Sequence, residues 1–385
     1  MPVTILHVDI EGGWGGSSVS LFELVRRLDR TRISPVVAYR QKGPAAEWYA
    51  ELGIPAYHVP EIASFVPRRT KALKNLLASL PRLACLRHAS DRLAQIARDH
   101  ECGVVHLNYE GLFLLASRLR KKLAVPMIAH SRAHLPATHW GRWLVRSLAH
   151  NVNAIFFISP QEESRWQELL GGADGPRGEI MWNIARAPLP RQPFTARPEI
   201  VFLGNVAYAK GPDRLIDIAA AIARKNGPRF CFAIYGRANR ETGFARGLER
   251  RIGDLGLSDA VELRGHIADP ASVLARAFAL IRPSRDDDPW GRDVIEAGTA
   301  GVPVLATGTF DGVVQHGRTG YLFGEFDAES FADSLIALHE DPGLWQRLSA
   351  NGAALGKERF GGAAQAEQFM RKVERLAGRA VAESA

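Results

Sequence analysis

What most constrains the fold of this chain is a repeating alternation. Short β-branched and apolar runs give way to longer stretches with helical periodicity, and this continues from one end to the other. The runs "VTILHVDI", "SPVVAYR", "AYHVP", "GVVHLN", "PMIAHS" and "AIFFIS" predict strands in the first half. In the second half "EIVFLGN", "RFCFAIYG", "AVELRGH", "AFALIRPS" and "VPVLATG" do the same. Between them lie segments such as "SSVSLFELVRRLDR", where Val19, Phe22, Val25 and Leu28 fall near the spacing of one helix face. Strands separated by helices pair in parallel, because a parallel return needs a crossover long enough to hold a helix. The predicted class is therefore α/β, with parallel sheets wrapped by helices.

A chain of 385 residues exceeds what one hydrophobic core usually covers, so two domains are expected. The segment "RAPLPRQPFTARPE", residues 186–199, has four prolines and no periodicity, and reads as an interdomain linker. The expected division is residues 1–187, residues 198–360, and a terminal helix and tail over 361–385. Two doubly wound domains in tandem place ligands at the carboxyl ends of strands and in the crevice between domains.

Charge separates the halves. Residues 1–190 carry 24 Lys and Arg against 16 Asp and Glu, whereas residues 191–385 carry 25 of each, so the whole net charge of +8 lies in the first half. Such a basic face suits anionic lipid, an acidic acceptor or nucleic acid. The basic stretches lack an interleaved aromatic pattern, which argues against nucleic acid. Three dispersed cysteines, Cys85, Cys102 and Cys231, suggest neither a zinc cluster nor a disulfide framework. With no leader-like opening and no long apolar span, the expected location is cytoplasmic.

Candidate sites fall where strands end. "EGGWGGSS", residues 11–18, joins the first strand to the first helix; its glycines permit close backbone approach, and a helix N-terminus favours an anion. It lacks the G-x-G-x-x-G spacing of a dinucleotide site, and a plain tight turn fits it equally. Lys210-Gly211 precedes a helix opening on Pro212-Asp213, where a lysine can neutralise a diphosphate or simply be solvated. His130 ends "VPMIAH", at a strand end, where it can meet a substrate hydroxyl or be structural. "SRDDDPWGRDVIEAGTAGVPV", residues 284–304, sets Asp286, Asp287 and Asp288 ahead of a lone Glu296, readable as a hard-cation site, an acid/base pair or a solvated turn.

One ordered set of motifs is more specific than any of these pieces. Pro283-Ser284, Asp288-Pro289-Trp290-Gly291, Glu296-Ala297, Gly301-Val302-Pro303-Val304 and Gly317-Arg318-Thr319-Gly320 resemble, in order, the signature of family 4 glycosyltransferases. Gly15-Gly16, Ser159, Asn183 and Lys210-Gly211 fall where that family has counterparts, so the resemblance covers nearly the whole chain. It implies the GT-B fold, two Rossmann-like domains facing each other across a cleft with a C-terminal helix crossing back to the first. It also implies transfer of a sugar from a nucleotide-sugar to a hydroxyl of a glycan or lipid-linked acceptor, with retention at the anomeric carbon.

The resemblance assigns roles residue by residue. Glu296 would accept hydrogen bonds from the ribose, and Asp288 would hold sugar hydroxyls. Trp290, Gly291 and Arg292 would present backbone amides to sugar and phosphates, and Lys210 would neutralise the leaving diphosphate. His130 and the Gly15-Gly16 loop would face the transferred sugar and leaving group from the first domain. No metal or other cofactor is implied, and no general base is nominated, since in this chemistry the departing phosphate takes the acceptor's proton. The chain also departs from the pattern. Asn205 stands where an arginine is common, with Arg237 or Arg292 as candidate replacements; Asp288 replaces a glutamate; and Gly308-Thr309-Phe310-Asp311-Gly312 lacks the family's usual glutamate. A nucleotide-sugar 2-epimerase of the same architecture and a non-catalytic nucleotide-sugar-binding module are the alternatives. The basic stretches "VPRRTKALKNLLASLPRL" and "HWGRWLVRSL", the latter with Trp140 and Trp143 beside arginines, suggest peripheral docking on anionic membrane.

Overall fold

A computed structural model of the protein describes residues 1–65, 80–133, 135–176, 178–237, 243–285 and 291–384. The chain divides into two compact units, Met1–Ile184 with Gly362–Ala385, and Ala185–Gly361.

The first unit is built on seven strands, β1 (Val3–Asp9), β2 (Ile33–Tyr39), β3 (Ala56–His58), β4 (Val104–Leu107), β5 (Met127–Ser131), β6 (Ala154–Phe157) and β7 (Gly178–Ile180). All pair in parallel, in the order β3-β2-β1-β4-β5-β6-β7. Successive side chains of a strand point to opposite faces, so each strand feeds two cores. Leu6, Val8, Val105 and Ala129 pack with Leu93, Leu115, Leu144 and Trp166 from helices on one side. Ile5, Val104, Ile128 and Phe156 face the other side, where Leu24 and Leu28 meet Phe369, Met370 and Val373. The last three belong to the terminal helix Ala363–Ser384, which thus joins the first unit, as the resemblance implied. Arg32 fastens it further, with ion pairs to Glu367 at 2.6 Å and Glu374 at 2.7 Å.

The second unit repeats the plan with β8 (Glu199–Leu203), β9 (Cys231–Tyr235), β10 (Val261–Gly265), β11 (Ala277–Arg282), β12 (Val304–Thr307) and β13 (Gly320–Phe323). The order is β10-β9-β8-β11-β12-β13, again all parallel. In both sheets the strand order reverses beside the first strand, at β1/β4 and at β8/β11. A crevice opens outside the carboxyl ends at such a reversal, and ligands of open α/β sheets bind there.

The segment expected to be a linker has no helix or strand before Glu199, yet it is bound to the second unit. Arg191 donates to the carbonyls of Leu274 and Ala277, the Gln192 N–H donates to Ala275 at 2.8 Å, and the Arg191 guanidinium lies over the Trp345 ring. Prolines excluded regular structure here, but they did not prevent docking.

Candidate active site

In the second unit the site begins where β8 ends. Lys210 closes a single 3-10 turn, Tyr208–Lys210, and Gly211 follows as the residue before the helix Pro212–Arg224. Gly211 has φ +73°, and a Cβ there would overlap the carbonyl oxygen of Pro283, so only glycine fits. The helix start has no side-chain cap from Gly211; Pro212 carries no N–H, the Asp213 N–H is held by its own carboxylate, and the Arg214 N–H donates to the Gly211 carbonyl at 3.0 Å.

The turn carrying Lys210 is clamped to the segment that leaves β11. Arg285 donates to the Tyr208 carbonyl at 2.6 Å and pairs with both oxygens of Asp213, and its guanidinium lies 3.7 Å from the Tyr208 ring centroid. The Arg285 N–H donates to the Ala209 carbonyl at 2.9 Å, and Arg214 donates to the carbonyls of Pro283 and Ser284. Burial would raise the Asp213 carboxyl, but the hydrogen bonds and charge of Arg285 hold it below its ordinary range. Arg285 and Arg214 were not apparent as site residues in sequence, because their partners, backbone carbonyls and the Asp213 carboxylate, lie about 70 residues away along the chain.

The helix Arg292–Thr299 follows β11 and also starts without a side-chain cap, at Gly291. Arg282, buried at the end of β11, holds both oxygens of Asp293 in its first turn at 2.8 and 2.7 Å and donates to Ser284 Oγ at 2.9 Å. Glu296, 8% exposed, accepts from Arg292 one turn earlier, and Arg186 Nε approaches the same oxygen at 4.0 Å. Asn205 and Arg237 are exposed just past β8 and β9. A cavity of about 560 Å³ lies beside them, lined by Val206, Ile234, Gly236, Arg246, Leu263 and Gly265. Asp311 lines a second cavity of about 560 Å³ with Gly308, Thr309, Gln315, His316 and Arg318. Asp286, Asp287, Asp288 and Trp290 lie outside the described residues.

In the first unit, Gly15 and Gly16 sit at the start of the helix Gly16–Val25, which likewise has no side-chain cap from the preceding residue. The Glu11 carboxylate reaches back over this turn, accepting from the Gly15 N–H and from Ser17 Oγ at 3.5 Å. Below it, buried Asp9 accepts from Ile10 N and Asn108 Nδ2, each at 3.0 Å, and from Ser18 Oγ. Burial raises the carboxyls of both Asp9 and Glu11, and for Glu11 the neighbouring Asp9 charge adds to it.

His130 requires a correction. Its side chain is fully buried, on the sheet face covered by the terminal helix, and does not reach the strand ends. Its Nδ1 lies 2.7 Å from His106 Nε2, and His106 Nδ1 lies 2.8 Å from His7 Nδ1, so three histidines form one row across β5, β4 and β1. The ring stacks on Phe156, while His7 and His106 pack on Phe369. Burial drives all three far below their ordinary range, His7 to about 3. The residue that does emerge from β5 is Arg132, missed in sequence. It donates to Asn108 Oδ1 and to Asn183 Oδ1 at 2.7 Å, while its N–H donates to Glu110 Oε2. Glu110 is wholly buried, which pushes its carboxyl up to about 7. Among the described residues no group of three or more His, Cys, Asp or Glu side chains is arranged to hold a metal ion.

Residues 15–181, within the first unit, match the "Glycosyl transferase 4-like domain" and residues 190–355, within the second, the "Glycosyl transferases group 1" family. The chain belongs to the group 1 glycosyl transferases. Its GT-B fold is shared with Anabaena HepE, solved with UDP and glucose (TM-score 0.76, 19% identity, 97% of this chain and 100% of that one). A sucrose-phosphate synthase from Thermosynechococcus elongatus aligns similarly (TM-score 0.77, 17% identity, 98% and 100%). At these identities the likeness shows the fold alone. Among characterised group 1 transferases, the mannosylfructose-phosphate synthase of Agrobacterium fabrum is 31% identical over 191 residues, 48% of this chain and 42% of that protein. The phosphatidyl-myo-inositol mannosyltransferase of Mycobacterium leprae is 28% identical over 227 residues, 55% and 57%. The match thus spans about half the length of these relatives.

Proposed function

We propose that the protein moves a hexose from a nucleotide-sugar donor to a hydroxyl of a glycan or lipid-linked acceptor, with retention at the anomeric carbon, in cell-surface polysaccharide or glycolipid synthesis. The observation that carries this reading is the pair of helix N-termini, each preceded by a glycine, that follow the adjacent strands β8 and β11, one beside Lys210 and the other bearing Glu296 one turn along. Paired N-termini and an ammonium suit a diphosphate, and a carboxylate one turn along suits the ribose hydroxyls. Relatives named as a mannosylfructose-phosphate synthase and a phosphatidyl-myo-inositol mannosyltransferase support hexose transfer to a hydroxylated acceptor, free or lipid-anchored.

Charge separation at the breaking glycosidic bond is the principal demand on such a site. Lys210 and the two helix N-termini answer it without a metal. The departing phosphate accepts the acceptor's proton on the face where the bond breaks, so the protein's part is to align the reactants and exclude water. Asp288 is assigned the donor sugar's hydroxyls on resemblance alone, and His130 has no direct part. The exposed Trp140 and Trp143, with Arg142 and Arg146, support peripheral contact with the inner face of the cytoplasmic membrane in this reading.

Calorimetry against UDP, GDP, ADP and their sugars tests it. One nucleoside diphosphate should bind selectively, and Glu296→Ala should weaken it by about 10- to 100-fold with the fold intact, as expected for losing a charged hydrogen-bond partner. Silence across the panel, or unchanged affinity in the variant, rejects the reading.

A further inference from the structure

The glycine loop of the first unit contains a residue that the transfer chemistry leaves unused. Trp14 stands between Gly13 and Gly15, at the carboxyl end of β1, and its side chain is 50% exposed. Exposed tryptophan is unusual because its large apolar surface is stabilising when buried. This indole is nevertheless held in place. Its Nε1–H donates to the Lys42 carbonyl at 3.1 Å, and Gly43 lies so close that a Cβ there would collide with Nε1.

The backbone is shaped to make this seat. A Cβ on Gly12 would overlap the carbonyl oxygen of Gln41, and Gly13 has φ +98° with Pro44 and Trp48 packed against it. The Ala45 N–H donates to the Gly12 carbonyl at 3.0 Å, closing the loop of residues 11–16 onto the loop of residues 41–45. Three glycines thus permit one close packing, and the product is an indole whose polar handle is already satisfied. The Glu11 carboxylate belongs to the same loop, fixed by the Gly15 N–H and Ser17.

An ordered aromatic ring and a fixed carboxylate carried on one loop are the chemistry that recognises a pyranose. The C–H groups on one side of the sugar pack on the ring, and a hydroxyl donates to the carboxylate. Because ring and carboxylate are already ordered, binding sacrifices little conformational freedom. We propose that Trp14 is the stacking platform for the ring of the acceptor sugar, with Glu11 receiving one of its hydroxyls. The acceptor is accordingly a glycan whose accepting residue is a pyranose. This rests on the transferase reading for its role, although the binding it describes is independent of donor binding.

Saturation-transfer NMR on the full chain tests it, with the methyl pyranosides of glucose, mannose, galactose and N-acetylglucosamine as probes and glycerol as the acyclic control. At least one pyranoside should show transfer in the wild-type protein at millimolar concentration. Trp14→Ala should abolish that signal, and Trp14→Phe, which keeps an aromatic face, should retain part of it. Nucleoside diphosphate binding should be the same in all three proteins, which also certifies the fold. The inference is overturned if Trp14→Ala gives the wild-type signal, or if no pyranoside gives one while the nucleotide still binds. It is equally overturned if Trp14→Ala instead abolishes binding to vesicles of phosphatidylglycerol and phosphatidylcholine, since the ring would then be a lipid contact. Loss of nucleotide binding by the wild-type protein, with a Trp14-dependent pyranoside signal intact, would defeat the transferase reading and leave the platform standing.

Discussion

Exchange of His130 for glutamine probes the buried histidine row through its response to acid. His7, His106 and His130 are fully buried, and burial keeps all three neutral far below their ordinary range, with Arg30 and Arg132 adding to the effect. In the unfolded chain each takes up a proton below about pH 6.5. The unfolded state therefore binds more protons in acid. The stability these groups allow is fully present above about pH 6.5 and falls as the pH is lowered. One pKa unit corresponds to about 1.4 kcal/mol, so the three together remove about 4 kcal/mol for each pH unit below about 6.5. Glu110 acts oppositely: its carboxyl, raised to about 7, keeps a proton that the unfolded chain has lost, down to the ordinary value of 4.5. Asp9 and Glu11 act in the same sense as Glu110. These carboxylates are common to wild type and variant and cancel in the comparison. Urea titrations at about pH 7.5 and 5.5, followed on the transition of the first unit, measure the difference. At about pH 7.5 the variant should be less stable by about 1–3 kcal/mol, through the imperfectly replaced bond to His106. At about pH 5.5 the gap should narrow by about 1.4 kcal/mol, because one of three acid-labile groups is gone. A gap unchanged between the two pH values refutes the reasoning, since His130 would then titrate alike in both states.

Two further outcomes follow from the geometry. Gly211→Ala should destabilise the second unit by about 1–3 kcal/mol, from left-handed strain and the overlap with Pro283, and should weaken nucleotide binding by moving Lys210; a thermal scan showing wild-type stability contradicts this. Replacing both Trp140 and Trp143 with alanine should reduce sedimentation with anionic vesicles, and salt should weaken the wild-type interaction; binding indifferent to anionic lipid content would remove the membrane proposal.

Period and punctuation carried the fold. Every strand predicted from an apolar run is present; most are buried on both faces and have no polar alternation to disguise them, and the shorter or half-exposed β3 and β10 are still bounded by clear breaks. The two missed, Gly178–Ile180 and Gly320–Phe323, are edge strands of three and four residues, too short to show a period. The places of Lys210-Gly211 and Glu296 in the fold were legible as well, just before one helix and in the first turns of another, where local sequence decides the geometry. His130 misled because its position near the end of an apolar run gives the strand but not the face. Which side it takes depends on pairing with His106 and on Phe369, more than 200 residues away. Arg132 and Arg214 were invisible for a related reason, since arginine that binds backbone carbonyls or amide oxygens leaves no charged partner to find in the sequence, and the Asp213 partner of Arg285 lies 72 residues away.

The missing cation at Asn205 takes on a different meaning in this geometry. Arg292, a candidate to replace it, is engaged with Glu296, and both side chains are largely buried, at 14% and 9% exposure. Withdrawing Arg292 to a phosphate would strand a buried carboxylate, a loss of the order of 3–5 kcal/mol where no other charge stands by. Arg186 does stand by, 4.0 Å from the same oxygen and itself part of the second unit. Two guanidinium groups around one carboxylate leave this trio with one net positive charge at a helix start that already favours anions. The charge absent at the end of β8 thus has a counterpart beside β11, in a residue of the proline-rich segment that reads as a mere connection. Under the proposed transfer, Lys210, its turn fixed by Arg285, is assigned the first positive charge facing the leaving diphosphate and the Arg186, Glu296 and Arg292 trio the second.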